Sequence, residues 1–423
     1  MFADIGTFSP LLRLLAVFAL MVLGVRLRLG LGLSVLAGSL ALALCFGMTV
    51  RQWAVASLGV FGDAATVLVW CVLSCILALS SLMERTGQAE RFMIALSHHI
   101  ASPRIRLVFF PMLIGLLPMP GGAVFSAPLL HAVARGLPVP EIDKSLINYW
   151  FRHTAELTWP LFPAVILAAG IANIPTPQLV AHTFPLALAF FGAGWFWLVR
   201  GLPFPPAAGI PGPEASGAWA NVLYQGLPIF LALGGALALE GAIALFLPGV
   251  PADYGVPAAL MCGIAACLRQ NRLKAADFFR AVMQRHVLGM ICIVGSLGVF
   301  KIILEKSGAI DALMGMGSAD MALILAAAVL PALVTLVTGL LMAAVGITLP
   351  LLMALVPEGE AILPWLALSM STGFTGHMLS PLHICFVLSC EYFRVPFGAS
   401  WRRIPAPAIM FCLAGILYFF LMR

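Results

Sequence analysis

The dominant pattern along the chain is a series of apolar runs separated by short polar loops. Many runs approach the roughly 20 residues that an α-helix needs to cross a bilayer. The pattern predicts membrane-spanning helices at about 11–26, 29–48, 64–83, 145–172, 178–200, 221–247, 254–268, 286–305, 361–391 and 404–422. No polar stretch between them is long enough for a separate soluble domain.

Two further apolar segments, 104–134 and 321–356, contain residues that interrupt a helix. The first carries Pro118-Met119-Pro120-Gly121-Gly122 at its centre, and this sequence cannot continue a helix. The second is interrupted more weakly, and we place its turn at Met342-Ala343-Ala344-Val345-Gly346. Each segment is predicted to be a re-entrant hairpin, a helix pair that enters the membrane and returns to the same side. Such irregular backbone is tolerated at membrane depth only where protein or a water-filled cavity satisfies it.

The second half of the sequence repeats motifs of the first at a nearly constant offset. LMERTG at 82–87 returns as ILEKSG at 303–308, SAPLL at 126–130 as TLPLL at 348–352, and Pro160-Leu161 as Pro381-Leu382. Residues 201–217 between the halves are rich in proline and glycine. We therefore divide the chain into a first repeat (1–200), a linker (201–220) and a second repeat (221–423).

Each repeat contains five predicted spans and one hairpin, so the second repeat enters the membrane with opposite topology. The predicted fold class is an all-α membrane protein with about ten transmembrane helices and two re-entrant hairpins in two inverted-topology repeats. With both termini outside, most of the 23 Lys and Arg residues fall on the cytoplasmic side. The basic residues that remain outside are Arg13, Arg51, Lys301, Lys306 and Arg423.

Composition agrees with a membrane protein and excludes an ordinary soluble enzyme. Hydrophobic residues make up 62% of the chain and charged residues 9%, and the mean hydropathy is +1.06. Soluble domains carry roughly a quarter charged residues. The net charge of +6 is spread over short loops, so it indicates orientation in the membrane rather than nucleic-acid binding.

Two predicted spans carry polar residues and a proline near their middle, at 148–160 (NYWFRHTAELTWP) and 372–383 (TGFTGHMLSPLH). An unwound stretch in each would present carbonyls, amides and hydroxyls to a ligand. Together with the hairpin tips, these stretches predict one substrate site. Its candidate residues are Pro120, Gly121, Gly122, Ser126, Thr154, Thr158, Thr338, Gly346, Thr348, Thr375, Gly376 and Ser380. The alternatives are a structural proline kink, and hydroxyls that bond only to their own helix.

Ionisable residues inside predicted spans are candidates for ion coupling, because such groups are costly in a bilayer. Glu156 aligns with His377 across the repeat, and Glu240 stands in the middle of another span. His153 and His377, with His383, could titrate near neutral pH. We select Glu156, His153, His377 and Glu240. The alternatives are an Arg152–Glu156 pair along one helix, hydrogen-bonded core histidines, and a helix-packing role for Glu240.

The leading functional interpretation is an ion-coupled secondary transporter of a small organic solute, driven by protons or sodium. Half-helix N-termini that point into the site would favour an anion. An intramembrane hydrolase or lipid-modifying enzyme is the alternative, with His153 and Glu156, or His377 and His383, around a metal. A passive channel is disfavoured because no ring of like charges is apparent. We assign no metal ligand and no cofactor, and the chain contains no GxxxxGK[ST] nucleotide motif.

Three motifs resemble a family of prokaryotic inner-membrane proteins designated domain of unknown function 401. They are LLPMPGGAVFSAP at 116–128, YWFRH at 149–153 and LSPLHIC at 379–385. That family is grouped with the ion transporter superfamily of gluconate, citrate, dicarboxylate and arsenite carriers.

The resemblance implies a multi-pass homodimer in contact with membrane lipids, with a fixed scaffold and a mobile domain that moves the solute in an elevator-like step. The Ser-Asn-Thr hairpin tips of the dicarboxylate carriers are absent here. The resemblance therefore does not carry dicarboxylate or sodium coordination over to this chain.

Overall fold

The computed structural model describes residues 10–27, 29–62, 64–97, 100, 102–116, 123–134, 137–203, 219–247, 250, 254–309, 312, 323–357 and 361–423. Most of the linker lies outside the described residues, as does the predicted tip of the first interrupted segment with Pro120, Gly121 and Gly122.

The described residues are predominantly helical, and none of them forms a β-strand. The helices before the linker are α1 (Pro10–Arg26), α2 (Leu31–Cys45), α3 (Val50–Leu58), α4 (Ala64–Arg85), α5 (Gln88–Ser97), α6 (Pro103–Gly115), α7 (Ala123–Val133), α8 (Glu141–Arg152), α9 (Pro163–Ala172) and α10 (Thr176–Gly194). Those after it are α11 (Trp219–Phe246), α12 (Gly255–Gln270), α13 (Ala275–Val282), α14 (Arg285–Lys306), α15 (Leu330–Thr338), α16 (Leu341–Leu355), α17 (Ile362–Leu379), α18 (Ile384–Tyr392), α19 (Phe397–Trp401) and α20 (Pro405–Met422).

Length and composition make the chain a multi-pass membrane protein. Among the described residues, five helical segments are long and apolar enough to cross a bilayer: Thr66–Arg85, Thr176–Val199, Trp219–Ile243, Val287–Lys306 and Phe397–Met422. Several shorter apolar helices accompany them. A helix occupies every span predicted from the sequence, and two of those spans, 145–172 and 361–391, are each divided into two helices.

The helices pack into two groups. The first helix group contains α1–α5 and α11–α14, and the second contains α6–α10 and α15–α20. Each group draws helices from both halves of the sequence. Fewer packing contacts join the groups, chiefly α4 with α9, α14 with α16 and α1 with α15.

Helix contacts between the two halves occur in matching pairs. Helix α2 packs on α14 as α12 packs on α4, and α7 packs on α18 as α16 packs on α9. By position in the repeat, α4 corresponds to α14, and α10 corresponds to α20. The contacts of α4 with α14 and of α10 with α20 are therefore unchanged when the halves are exchanged. Exchanging the halves therefore reproduces these contacts.

The second interrupted segment turns at Gly339, so the placement of its tip at 342–346 is wrong. Gly339 has φ 69°, a left-handed conformation that favours glycine, and Leu340 is extended. Residues 342–346 lie inside α16. Gly346 is a packing position, because a Cβ there would meet the side chain of Leu297 in α14.

The second broken span is interrupted later than the sequence indicated. Thr375 and Gly376 lie within α17, which continues to Leu379. Ser380 is extended (ψ 124°) because the ring of Pro381 disfavours helical backbone at the preceding residue. Gly376 instead permits close packing, since a Cβ there would meet the carbonyl of Ala332 in α15.

Candidate functional site

The candidate site lies where two broken helices meet. Break one, residues 153–162, separates α8 from α9, and break two, residues 380–383, separates α17 from α18. Helix α18 packs against both α7 and α8, so the second half of the chain contacts the first at this point.

Glu156 stands at the centre of a buried ionisable cluster. One carboxylate oxygen, Oε1, is 3.6 Å from His153 Nε2 and 4.0 Å from Arg152 Nη1. The other, Oε2, is 3.7 Å from His377 Nε2. All four side chains are at most 7% exposed. Glu156 thus lies close to His377, with which it aligns across the sequence repeat, and to Arg152, four residues before it in the chain.

Hydrogen bonds to backbone carbonyls hold two of the histidine rings. His153 Nδ1 lies 2.6 Å from the carbonyl of Tyr149, and His383 Nδ1 lies 3.1 Å from the carbonyl of His377. The Tyr149 hydroxyl donates to the carbonyl of Met378 and also lies 2.9 Å from His383 Nδ1. The rings of His377 and His383 lie 3.9 Å apart between centroids. These contacts join the side chains of Tyr149, His153, His377 and His383 into one cluster.

Asn148 connects three elements beside this cluster. Its Nδ2 donates to the carbonyl of Ala123 at the start of α7 (3.1 Å) and to Ser389 Oγ in α18 (2.9 Å). Buried amide hydrogen bonds of this kind are costly to lose. Asn148 therefore connects the start of α7 to α18 in the second half of the chain.

The predicted hydroxyls do not gather in one pocket among the described residues. Ser126, Thr338, Thr348 and Thr375 donate to carbonyls of their own helices, as the alternative interpretation proposed. Ser380 donates to the carbonyl of Leu336 and so connects break two to α15. Of the two threonines in break one, Thr154 is buried with no hydrogen-bond partner for its hydroxyl in the described structure, and Thr158 is half-buried.

A cavity of about 740 Å³ lies beside break one. Its walls come from α4, α9, α10, α11 and break one, and they are mainly apolar. Glu240 of α11 lines this cavity, apart from the Glu156 cluster. Trp159 lines it from break one, and its indole N–H is buried with no acceptor within the described structure.

The sequence prediction did not select Asn148, Tyr149, Trp159, His383 or Cys385 as site residues. The sequence did contain a usable signal, which is the polar character of 143–152 in and beside a predicted span. The structure buries all of these residues in α8. His383 and Cys385 join His153 in a group whose ligand atoms lie within 4.8 Å of one another. His153, Glu156 and His377 form a second such group.

Comparisons with known proteins agree with this architecture. The solved structure of the Alcanivorax borkumensis YdaH transporter, described as having an unusual topology, is similar with a TM-score of 0.59. The match covers 88% of each chain at 16% sequence identity, so it shows a shared fold. No curated protein matches the sequence.

The profile of one protein family matches residues 7–207 and 237–421. This match spans both halves of the sequence and both broken helices. The chain belongs to the DUF401 family, described as a protein of unknown function.

Proposed function

We propose that the protein is a secondary active transporter that moves a small anionic organic solute across the membrane, driven by a proton or sodium gradient. One observation carries the proposal. The breaks of two helices, one from each half, bring Glu156, His153 and His377 together inside the protein. Buried ionisable groups at membrane depth are retained where an ion or solute passes.

The matched contacts support two inverted repeats. If 1–200 and 221–423 are related by a pseudo-twofold axis in the membrane plane, the main contacts between the halves should recur when the halves are exchanged. The pairs α7–α18 and α16–α9 satisfy this requirement, as do α2–α14 and α12–α4. We propose that 104–134 and 321–356 are re-entrant hairpins that enter from opposite sides.

The two helix groups support an elevator-like step. The second helix group holds both hairpins and both breaks, and it contacts the first group over limited surfaces. We propose that the first helix group is the scaffold, and that the second carries the solute across as a body. As in other such carriers, the scaffold would form a homodimer within the lipid bilayer.

Break one joins the ionisable cluster to the cavity. It contributes Glu156 to the cluster, and Trp159, Pro160 and Leu161 to the cavity wall three to five positions later. Ion binding that shifts break one would therefore change the cavity. The N-terminus of α9, at Pro163, follows directly and favours an anionic group on the solute.

The name of the YdaH transporter supports transport as the activity of this fold, and the proposal extends it to this chain. An intramembrane hydrolase would use the same histidines and Glu156. It would release a cleaved product, whereas a transporter returns its solute unchanged.

The test begins with a thermal-shift screen of organic anions on purified protein, with and without sodium. Hits are then measured as radiolabelled uptake into proteoliposomes under an imposed proton or sodium gradient. We expect uptake that requires one of the two gradients, and its loss by at least tenfold in Glu156→Ala and His377→Ala.

His182→Ala is the matched control, because His182 is half-buried on α10, outside the Glu156 cluster, and its ring hydrogen-bonds to the carbonyl of Gln178 in the same helix. It should keep wild-type uptake. Full uptake by both cluster variants would contradict the site, and chemically altered solute would favour the hydrolase.

A further inference from the structure

We infer that the cluster between the two breaks is a binding site for one divalent transition-metal ion of the zinc type. The ligands are His153 Nε2, the Glu156 carboxylate and His377 Nε2. This inference does not depend on transport, because metal binding is measurable without any solute.

The spacing of these atoms suits a metal better than a hydrogen bond. The His153 Nε2–Glu156 Oε1 distance is 3.6 Å and the His377 Nε2–Glu156 Oε2 distance is 3.7 Å. Hydrogen bonds between such groups are about 2.7–3.2 Å long. Ligands about 2.0–2.1 Å from a tetrahedral zinc ion lie about 3.4 Å from one another.

The hydrogen bond of His153 fixes which ring nitrogen carries the proton. Nδ1 lies 2.6 Å from the carbonyl of Tyr149, and a carbonyl only accepts, so Nδ1–H is the donor. In the neutral ring, Nε2 then presents a lone pair to a carboxylate, which also only accepts. A cation between the two acceptor atoms would be attracted to both of them. A backbone carbonyl behind the ring is the usual support of a metal-binding histidine.

His383 supports the third ligand from behind. Its Nδ1 donates to the backbone carbonyl of His377, and its ring lies against the His377 ring. Both contacts limit movement of His377 at the end of α17. The site is therefore already organised before a metal enters.

Ligand chemistry selects the class of metal. Two imidazole nitrogens and one carboxylate suit zinc, cobalt or nickel, whereas sodium, magnesium and calcium prefer oxygen ligands. The second group, His153 with His383 and Cys385, is a poorer site. The cationic Arg152 Nη1 lies 3.3 Å from Cys385 Sγ and would repel a metal there.

Charge predicts the nature of a fourth ligand. Arg152 and Glu156 carry opposite charges, so a divalent ion would leave the buried cluster positive. An isolated buried charge is strongly unfavourable. We expect an anionic oxygen at the fourth position, either hydroxide or a carboxylate supplied from outside the chain.

A bound metal would join the two halves of the protein. His153 and Glu156 both belong to break one, while His377 lies in the last turn of α17, just before break two. Zinc should therefore raise the melting temperature of the whole chain, because it binds only where both breaks are folded together.

The experiment uses the full-length protein, purified in detergent and freed of metal, with zinc measured after equilibrium dialysis. We expect one zinc ion per chain in the wild type and in His182→Ala. Affinity should fall at least tenfold in His377→Ala and in Glu156→Gln, and Cys385→Ser should bind as the wild type does. Cobalt should give the visible absorption of a tetrahedral site. A change in this absorption spectrum on adding acetate identifies a carboxylate rather than hydroxide as the fourth ligand.

Absence of zinc binding by the folded wild type overturns the inference, whatever the variants do. Undiminished binding by both cluster variants, or loss in Cys385→Ser, overturns the ligand set. A protein that binds zinc but takes up no solute contradicts the transport proposal alone. A protein that takes up solute but binds no zinc contradicts the metal site alone.

Discussion

At the residue scale, Gly339 is the position where a single methyl group should be most informative. Its φ of 69° costs other residues about 1–2 kcal/mol. A Cβ there would also lie 3.0 Å from the carbonyl of Leu382 in break two. We expect Gly339→Ala to destabilise the protein by about 1–3 kcal/mol, measured as a lower melting temperature in detergent.

Gly234→Ala is the control for this substitution. Gly234 lies in α11 with helical geometry, and a Cβ there would meet no atom within 4 Å. Alanine is the better helix former, so this variant should be as stable as the wild type or more stable. Equal melting temperatures for the two variants would show that the turn at Gly339 is not constrained.

The repeat offset aligned Glu156 with His377 in the sequence, and the structure places the two side chains together. Their proposed part in ion coupling stays a prediction. The sequence could not distinguish a serine or threonine that faces a ligand from one that bonds to its own helix, because both occur at the same spacing. Four selected hydroxyls make the local bond. The role of Asn148 depends on Ser389, which is distant in sequence.

At the element scale, Pro381 determines where α17 ends. Proline provides no N–H for the carbonyl of His377, which instead accepts from the backbone N–H of Ser380 and from the ring of His383. In Pro381→Ala, a new N–H can compete for that carbonyl and extend the helix. Slower amide hydrogen exchange at residues 382–384 and weaker solute uptake are the expected results.

Pro228→Ala tests whether the effect is specific to break two. Pro228 lies inside α11, which continues through it without a break. Removing it restores a helix hydrogen bond without altering either break, so uptake should be unchanged. Identical exchange at 382–384 in wild type and Pro381→Ala would mean that tertiary contacts, not the proline, end α17.

Helix positions followed from hydrophobicity more reliably than helix breaks did. The apolar runs located every long helix, because burial in a membrane requires continuous apolar surface. The short helices α3, α5, α13 and α19 have no such run and were not predicted. Turn positions depend on individual backbone angles, so the glycines at 373 and 376 suggested a break where they serve close packing instead.

At the scale of the whole molecule, the proposed inverted repeats, with the predicted position of the N-terminus outside, would place the linker in the cytoplasm. We expect a cysteine at Ser216, in a chain without its native cysteines, to react with a membrane-impermeant maleimide only after the cytoplasmic side is exposed. A cysteine at Arg423 should react in intact cells. The reverse labelling pattern would contradict the proposed orientation.

The grouping of helices was beyond what the sequence could predict. Hydropathy identifies helices one at a time, and the repeat relates the halves without showing how they pack. The observed groups mix elements from both halves, with α7 against α18 and α9 against α16. Such pairing depends on complementary side-chain shapes far apart in sequence, which no local pattern contains.

The bond between Asn148 and Ser389 spans 241 residues and has a consequence for biosynthesis. Asp143, at the start of the same helix α8, pairs with Arg403, just before the last helix. While the ribosome is still extending the chain, α8 therefore lies in the membrane without its partners Ser389 and Arg403. The two broken helices can close on each other only after residues 389 and 403 have been synthesised, so a chain terminated before them would contain most of the described helices and no assembled site.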